Sequence, residues 1–342
     1  MPPGHNGPYR HQETPVRNTA HWLFTWVQLY ARTNHYALRR AANAAVDYLI
    51  STSLLGPGPN WKQRNAAGRD ECNGVIGAAW VVEALAIACE FLERRDAFEI
   101  AEQVFMSHLV NSKTLLWHRL LPNGQILSVD RTLNHQLWFA AAGARLAAQG
   151  SPGALEKTLQ FLDHLPNILS IRSDGMIHHR IQLHWWDRAF EADRIGYRLH
   201  RKYVRLCRPG TASSSGFQRD VGYHAYNLHA LATLRRHMPD HPFWVNGKLK
   251  RALQFTRTEA FEKANNTKNP YSIPYNPVGF EMAWVLETFY PDQVQVRKSW
   301  LEFQFSAIGA PEGYGLQALD PRTTAARIYE ASELEDISLF EQ

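Results

Sequence analysis

The chain has 342 residues, enough for one large domain or two ordinary ones, and its 45% hydrophobic content excludes a disordered polypeptide. The net charge is +5, carried by 28 Arg against 9 Lys. Arg holds carboxylate or phosphate in two-point contacts, so an acidic ligand is one expectation. The basic run Arg194–Arg208 comes with no nucleic-acid motif, so no nucleic-acid partner is expected.

No stretch approaches the roughly 18 apolar residues that span a bilayer, and the polar first sixteen residues hold no apolar signal-peptide core. A flexible segment is expected over 1–16. Cys72, Cys89 and Cys207 are widely spaced and form neither a metal pattern nor a disulfide framework, which fits a reducing, cytoplasmic setting. No cofactor is implied, no metal site is expected, and the oligomeric state is open.

Helical periodicity dominates. In chain order it predicts helices near 17–31, 34–52, 72–93, 95–108, 130–148, 151–166, 184–206, 219–237, 242–260, 277–290 and 292–306. Turn signals separate them at Leu55–Pro59, Pro122-Asn123-Gly124, Gly150-Ser151-Pro152 and Pro239–Pro242, and Gly210–Gly216 reads as a loop. One helix of each pair opens with a polar cluster and continues almost wholly apolar; its partner is amphipathic. The clusters begin at Arg17, Arg69, Asp130, Arg219 and Asn276. Their spacing is roughly 50–60 residues, one helical hairpin plus a connection. The interval from Asp130 to Arg219 is longer, and a sixth, degenerate unit is expected there. Apolar helices inside and amphipathic helices outside give an all-α toroid, (α/α)5-6, over 17–310, with a C-terminal extension packing on it over 311–342.

In such a ring the inner-helix starts converge at one end. That mouth should gather Arg17, Asn18, His21, Arg69, Asp70, Glu71, Asn73, Asp130, Asn134, His135, Asp220, Tyr223, His224, Asn227, Asn276 and Glu281. Polar groups buried without partners cost about 1–3 kcal/mol each, so five clusters in register point to a site rather than to capping alone. His178, His179 and Trp185-Trp186-Asp187 read as a rim on which a sugar ring stacks.

Three segments stand out: Arg17-Asn18-Thr19-Ala20-His21-Trp22, Asp70-Glu71-Cys72-Asn73-Gly74-Val75-Ile76-Gly77-Ala78-Ala79-Trp80, and Asn134-His135-Gln136-Leu137-Trp138-Phe139. They resemble a family of bacterial and archaeal surface-polysaccharide gene clusters named for the archaeal N-glycosylation component AglQ. The resemblance covers most of 15–290 and implies a glycan-processing α/α toroid. More distant likenesses imply three chemistries. Asp70 and Asp130 opening consecutive inner helices resemble unsaturated glucuronyl hydrolases. The Asn134-His135 pair resembles polysaccharide lyases. The stretch from Trp117-His118-Arg119 to Leu146, with Tyr223-His224, is similar to N-acylglucosamine 2-epimerases.

Hydrolysis of a glycosidic bond in a uronic-acid-containing oligo- or polysaccharide is the leading expectation, with Asp70 and Asp130 as the carboxylate pair and His135 beside them. Arg17, Asn18, His21, Arg69, Asn73, Asn134, Trp138, Arg219, Tyr223, His224 and Glu281 would bind the sugar. Elimination or epimerisation, which needs an acid and a base flanking a carbon next to a carbonyl, is the alternative. A non-catalytic glycan-binding ring is the alternative of another class.

Overall fold

A computed structural model of the chain describes residues 1–51, 55–183, 212–309 and 318–335. The helix expected near 184–206, the basic run Arg194–Arg208 and the Trp185-Trp186-Asp187 segment lie outside the described residues.

The inner helices are α1 (Val16–Thr33), α3 (Ile76–Leu92) and α5 (Leu133–Ala148); α3 and α5 are apolar on every side and nearly all buried, and α1 buries most of its residues from Val16 to Gln28. A helix apolar all round is stable only when enclosed. Their partners α2 (Tyr36–Ile50), α4 (Arg95–Ser107) and α6 (Pro152–Ile168) bury one stripe each; in α2 it is Ala42, Ala45, Val46 and Leu49, spaced as one helix face. The hairpins are tight. Asn34 sits at φ 52° between α1 and α2, a left-handed turn that Asn tolerates.

Past the undescribed stretch come α7 (Ala212–Gly222) and α8 (His224–His237), then α9 (Gly247–Phe255), α10 (Glu259–Ala264), α11 (Val278–Phe289), α12 (Val294–Ala307) and α13 (Pro321–Ala326). The loop expected at Gly210–Gly216 is helical from Ala212. The helix expected over 242–260 is broken: a 3-10 turn at Pro242–Val245 ends at Asn246, whose side chain caps α9. The Pro122-Asn123-Gly124 turn carries a small hairpin, β1 (His118–Leu120) against β2 (Ile126–Val129), which helical periodicity does not announce.

Helices α1, α3, α5, α8 and α11 follow one another round the ring, with α2, α4, α6 and α12 behind α1, α3, α5 and α11. Helix α5 packs directly on α8, so no sixth inner unit separates them. The sixth place, between α11 and α1, is taken by the 3-10 turn Arg327–Ala331 after α13. Position in sequence misplaced that unit because a five-residue turn has no helical period to read. Residues 1–15, expected to be flexible, are seated against the ring. Glu13 lies 3.0 Å from Arg17, and Asn6 and Glu13 are buried.

Three histidines packed into this fold stay neutral. Burial lowers His108 and His224 to about 4 and His179 to about 3. The unfolded chain binds these protons near pH 6.5, so the sign is fixed: stability is lost as pH falls from 6.5 toward 4. Each group contributes a slope of about 1.4 kcal/mol per pH unit across that window. Urea titrations at pH 7 and pH 5 should give a markedly lower midpoint at pH 5; equal midpoints would contradict the placement of these rings.

Candidate active site

The chain enters α3 through a turn rather than from residue 72. Asn73 and Gly74 lie at φ 55° and 68°, outside helical space. Asp70 Oδ1 accepts the Gly74 N–H at 3.0 Å, and Arg64 holds Asp70 Oδ1 at 3.0 Å and Asn73 Oδ1 at 2.7 Å. The β1–β2 hairpin adds Arg119, whose Nη1 reaches Asp70 Oδ2 at 3.0 Å. Asp70 is thus clamped, and the two guanidiniums with the Gly74 amide outweigh its desolvation and hold its carboxyl below the usual range.

Asp130 lies just before α5. Gln136 fixes its backbone, donating to Asp130 O at 2.8 Å and to Trp117 O at 3.0 Å. The carboxylate accepts Thr132 N–H and Val75 N–H, each at 3.0 Å, and His135 Nδ1 at 2.6 Å. His135 and these amides overcome complete burial and keep Asp130 ionised. The helix expected from 130 begins only at Leu133, so Asp130 lies ahead of it. With Nδ1–H donated to Asp130, His135 presents Nε2, which has no hydrogen-bond partner among the described residues, and its side chain is 20% exposed.

A second such pair stands beside the first. The 177–181 segment runs antiparallel to the start of α5: Leu133 N–H donates to His179 O at 3.0 Å and Ile181 N–H to Arg131 O at 2.9 Å. Asp220, in the last turn of α7, accepts His178 Nδ1 at 3.1 Å and His179 N–H at 2.9 Å. The His179 ring lies 4.5 Å from that of Tyr223, and burial first, with His135 nearby, disfavours its charged form. Tyr223 in turn meets the Tyr9 hydroxyl at 3.0 Å.

Arg219, one residue before Asp220, donates to Tyr271 at 3.1 Å and stacks on its ring at 5.0 Å, with no carboxylate partner among the described residues. The other two arginines expected to bind the sugar, Arg17 and Arg69, differ. Arg17 is buried on Glu13 and Asn6, its guanidinium 4.2 Å over Trp80; Arg69 is exposed on a turn. Arg131 donates to Ile181 O at 3.3 Å.

Several expected sugar-binding residues are placed elsewhere. His224 is fully buried and faces the outer layer, accepting Ile177 N–H at 3.1 Å and meeting Ala252 O at 2.9 Å. Asn18 donates to Pro2 O at 3.0 Å. Farther down the axis, His21 is sandwiched between Trp80 and Tyr329, with ring centroids 5.4 and 4.3 Å away. Trp138 packs on Tyr226 at 4.9 Å, and Asn134 is buried at the first turn of α5. Glu281 is 0% exposed and pairs with Arg327 at 3.1 Å. The structure therefore brings together Asp70, Asp130, His135, Arg219 and Tyr223 at the mouth. It adds Arg64, Arg119 and the His178–Asp220 pair. The adjacent His178-His179 was the available signal for the last; the partners of Arg64 and Arg119 are set by the hairpin and the turn, which the sequence pattern does not reveal.

Gly74 makes the first pair possible. A Cβ there would lie 2.1 Å from Asp130 Oδ2 and 2.4 Å from His135 Nδ1, and the residue is at positive φ besides. Gly74→Ala is expected to separate the two side chains and to lower the melting temperature. Proton NMR should lose the hydrogen-bonded Nδ1–H signal of His135; retention of that signal would refute the packing.

The fold is an α/α toroid, one it shares with solved sugar epimerases and an isomerase. Cellobiose 2-epimerase from Spirochaeta thermophila superposes with a TM-score of 0.62 at 12% identity, covering 92% of this chain and 85% of that one. The enzyme of the same name from Bacillus thermoamylovorans gives 0.60 at 12% over 93% and 82%, and a D-mannose isomerase gives 0.59 at 15% over 93% and 87%. At such identities the likeness is one of fold. No family model matches the chain. Archaeal glycosylation protein Q of Haloferax volcanii is 38% identical over 99% of this chain and 93% of its own length. The chain belongs to the family of that protein. Among the described residues no helix is long and apolar enough to cross a membrane.

Proposed function

We propose that the protein is a glycan-processing enzyme that isomerises or epimerises a sugar by proton transfer next to a carbonyl, and that its sugar is acidic. The observation that carries this reading is the two imidazoles at one mouth, His135 and His178, each oriented through Nδ1 by a carboxylate. One Nε2 removes the proton from the carbon beside the carbonyl while the other imidazole, protonated, donates to the carbonyl oxygen, giving the enediol. A proton then returns to the opposite face or to the neighbouring carbon as an enediol hydroxyl gives its proton to the imidazole left neutral, which restores the carbonyl. Arg219 holds the sugar's carboxylate in a two-point contact.

The hydrolysis expected from Asp70 and Asp130 draws no support from their geometry. A glycosidase acid needs a raised carboxyl pKa, and both groups are held low and occupied by donors. The names of the structural neighbours, epimerases and an isomerase, accord with the proton-transfer reading.

The test is incubation in deuterated water with D-glucuronate, D-mannose and cellobiose in turn, followed by mass spectrometry and NMR. Carbon-bound deuterium without a new reducing end is expected, on D-glucuronate before the neutral sugars. A new reducing end with no carbon-bound deuterium would replace this reading with hydrolysis.

A further inference from the structure

We propose that residues 4–13 are the roof of this site and that Tyr9, reaching the far wall, restricts it to a free sugar or a chain end. The second part rests on the acidic-sugar reading above; the roof does not. The segment is anchored at both ends. Asp320, ahead of α13, accepts His5 N–H at 2.8 Å and Gly7 N–H at 3.1 Å. The second anchor is the loop leading to Asp70, where Thr14 N–H donates to Gln63 O at 2.8 Å and Asn65 N–H to Gln12 O at 2.9 Å. Between them Tyr9 meets Tyr223 at the start of α8, 3.0 Å hydroxyl to hydroxyl, with its ring 5.8 Å from that of Tyr271.

Ring order gives this contact its meaning. Of the six inner places, α8 stands opposite α1, the helix into which the segment runs. A chain that starts α1 and touches α8 spans the mouth. An internal residue of a polymer, extended in both directions, has no passage beneath a span fixed on both sides. The hold is mostly polar. Tyr9 supplies its apolar contact with the core, and the rest is hydrogen bonding and the Glu13–Arg17 pair. Segments with few apolar contacts open at low free energy, so the roof can lift to admit a small ligand.

Diethyl pyrocarbonate, which modifies the exposed nitrogen of imidazole, reads the roof directly. Asp320→Ala removes two charge-assisted hydrogen bonds, and about tenfold faster modification of His135 and His178 is expected, with the exposed His35 unchanged. Tyr9→Ala, which leaves both anchors intact, should raise the same two rates, while Tyr9→Phe should change them less. Wild-type rates in both alanine variants would overturn the roof, whether or not any sugar is turned over.

Protection supplies the second arm. D-glucuronate is expected to shield His135 in the wild type and polygalacturonate, poor in chain ends, is not; in Tyr9→Ala both should shield it. Equal protection of the wild type by monomer and polymer would overturn the restriction. Protection by neither, with the rates as expected, would remove the acidic-sugar reading and the restriction built on it, and leave the roof standing.

Discussion

His135→Gln is expected to abolish deuterium incorporation into the sugar, a loss of about 10²–10⁴ in kcat, the usual contribution of one positioned acid–base group. Glutamine keeps a donor near Asp130 but cannot carry a proton. Asp130→Asn should fall in the same range for a different reason. The carboxylate accepts from His135, Thr132 and Val75. An amide in its place would present donors to groups that already donate, and the imidazole would turn to the wrong tautomer. Asp70→Asn should act mainly on stability, since Arg64 and Arg119 would lose their counter-charge. Steady-state exchange rates beside melting curves separate these cases. Full activity in His135→Gln would end the assignment, and inactivity of Asp70→Asn with unchanged stability would return that carboxylate to the chemistry.

Arg327→Met is expected to be the most destabilising of the simple substitutions, by about 3–5 kcal/mol. Its guanidinium lies on the ring axis, bonded to Glu281 at 3.1 Å, to Glu330 and to the Asn276 side chain, and stacked 4.7 Å over Tyr226. Removing it leaves two carboxyls together in the core. Burial and the neighbouring Glu330 already push Glu281 up. A carboxyl whose folded pKa is raised contributes stability at low pH and loses it as pH rises, so the deficit of Arg327→Met should be larger at pH 8 than at pH 5. Glu281→Gln should cost far less, about 1 kcal/mol or below, because burial and Glu330 already disfavour the charged carboxylate and an amide keeps an acceptor for Arg327. Denaturant titrations of the two variants at both pH values give the comparison. A small, pH-independent cost for Arg327→Met would mean that the axis is not assembled around this side chain.

The sequence by itself determined the inner and outer helices and the end at which the inner helices begin. Both follow from local pattern: α3 and α5 are apolar on every face, α2 on one, and each inner helix is preceded by its polar cluster. The motif around Asn73-Gly74 and that around Asp130 were visible as well, but not what they do. Whether a carboxylate is an acid or a clamp depends on the groups that face it. Those of Asp70 come from a loop and from a hairpin 49 residues away, and one of those of Asp130 from Val75, 55 residues away. Only the tertiary structure decided that Asp130 serves His135, that His224 points outward into the core, and that His178 joins Asp220. It alone placed the turn Arg327–Ala331 in the sixth position of the ring, and the N-terminal residues across its mouth. Periodicity records which face of a helix is buried; it carries no record of which distant charge lies against that face.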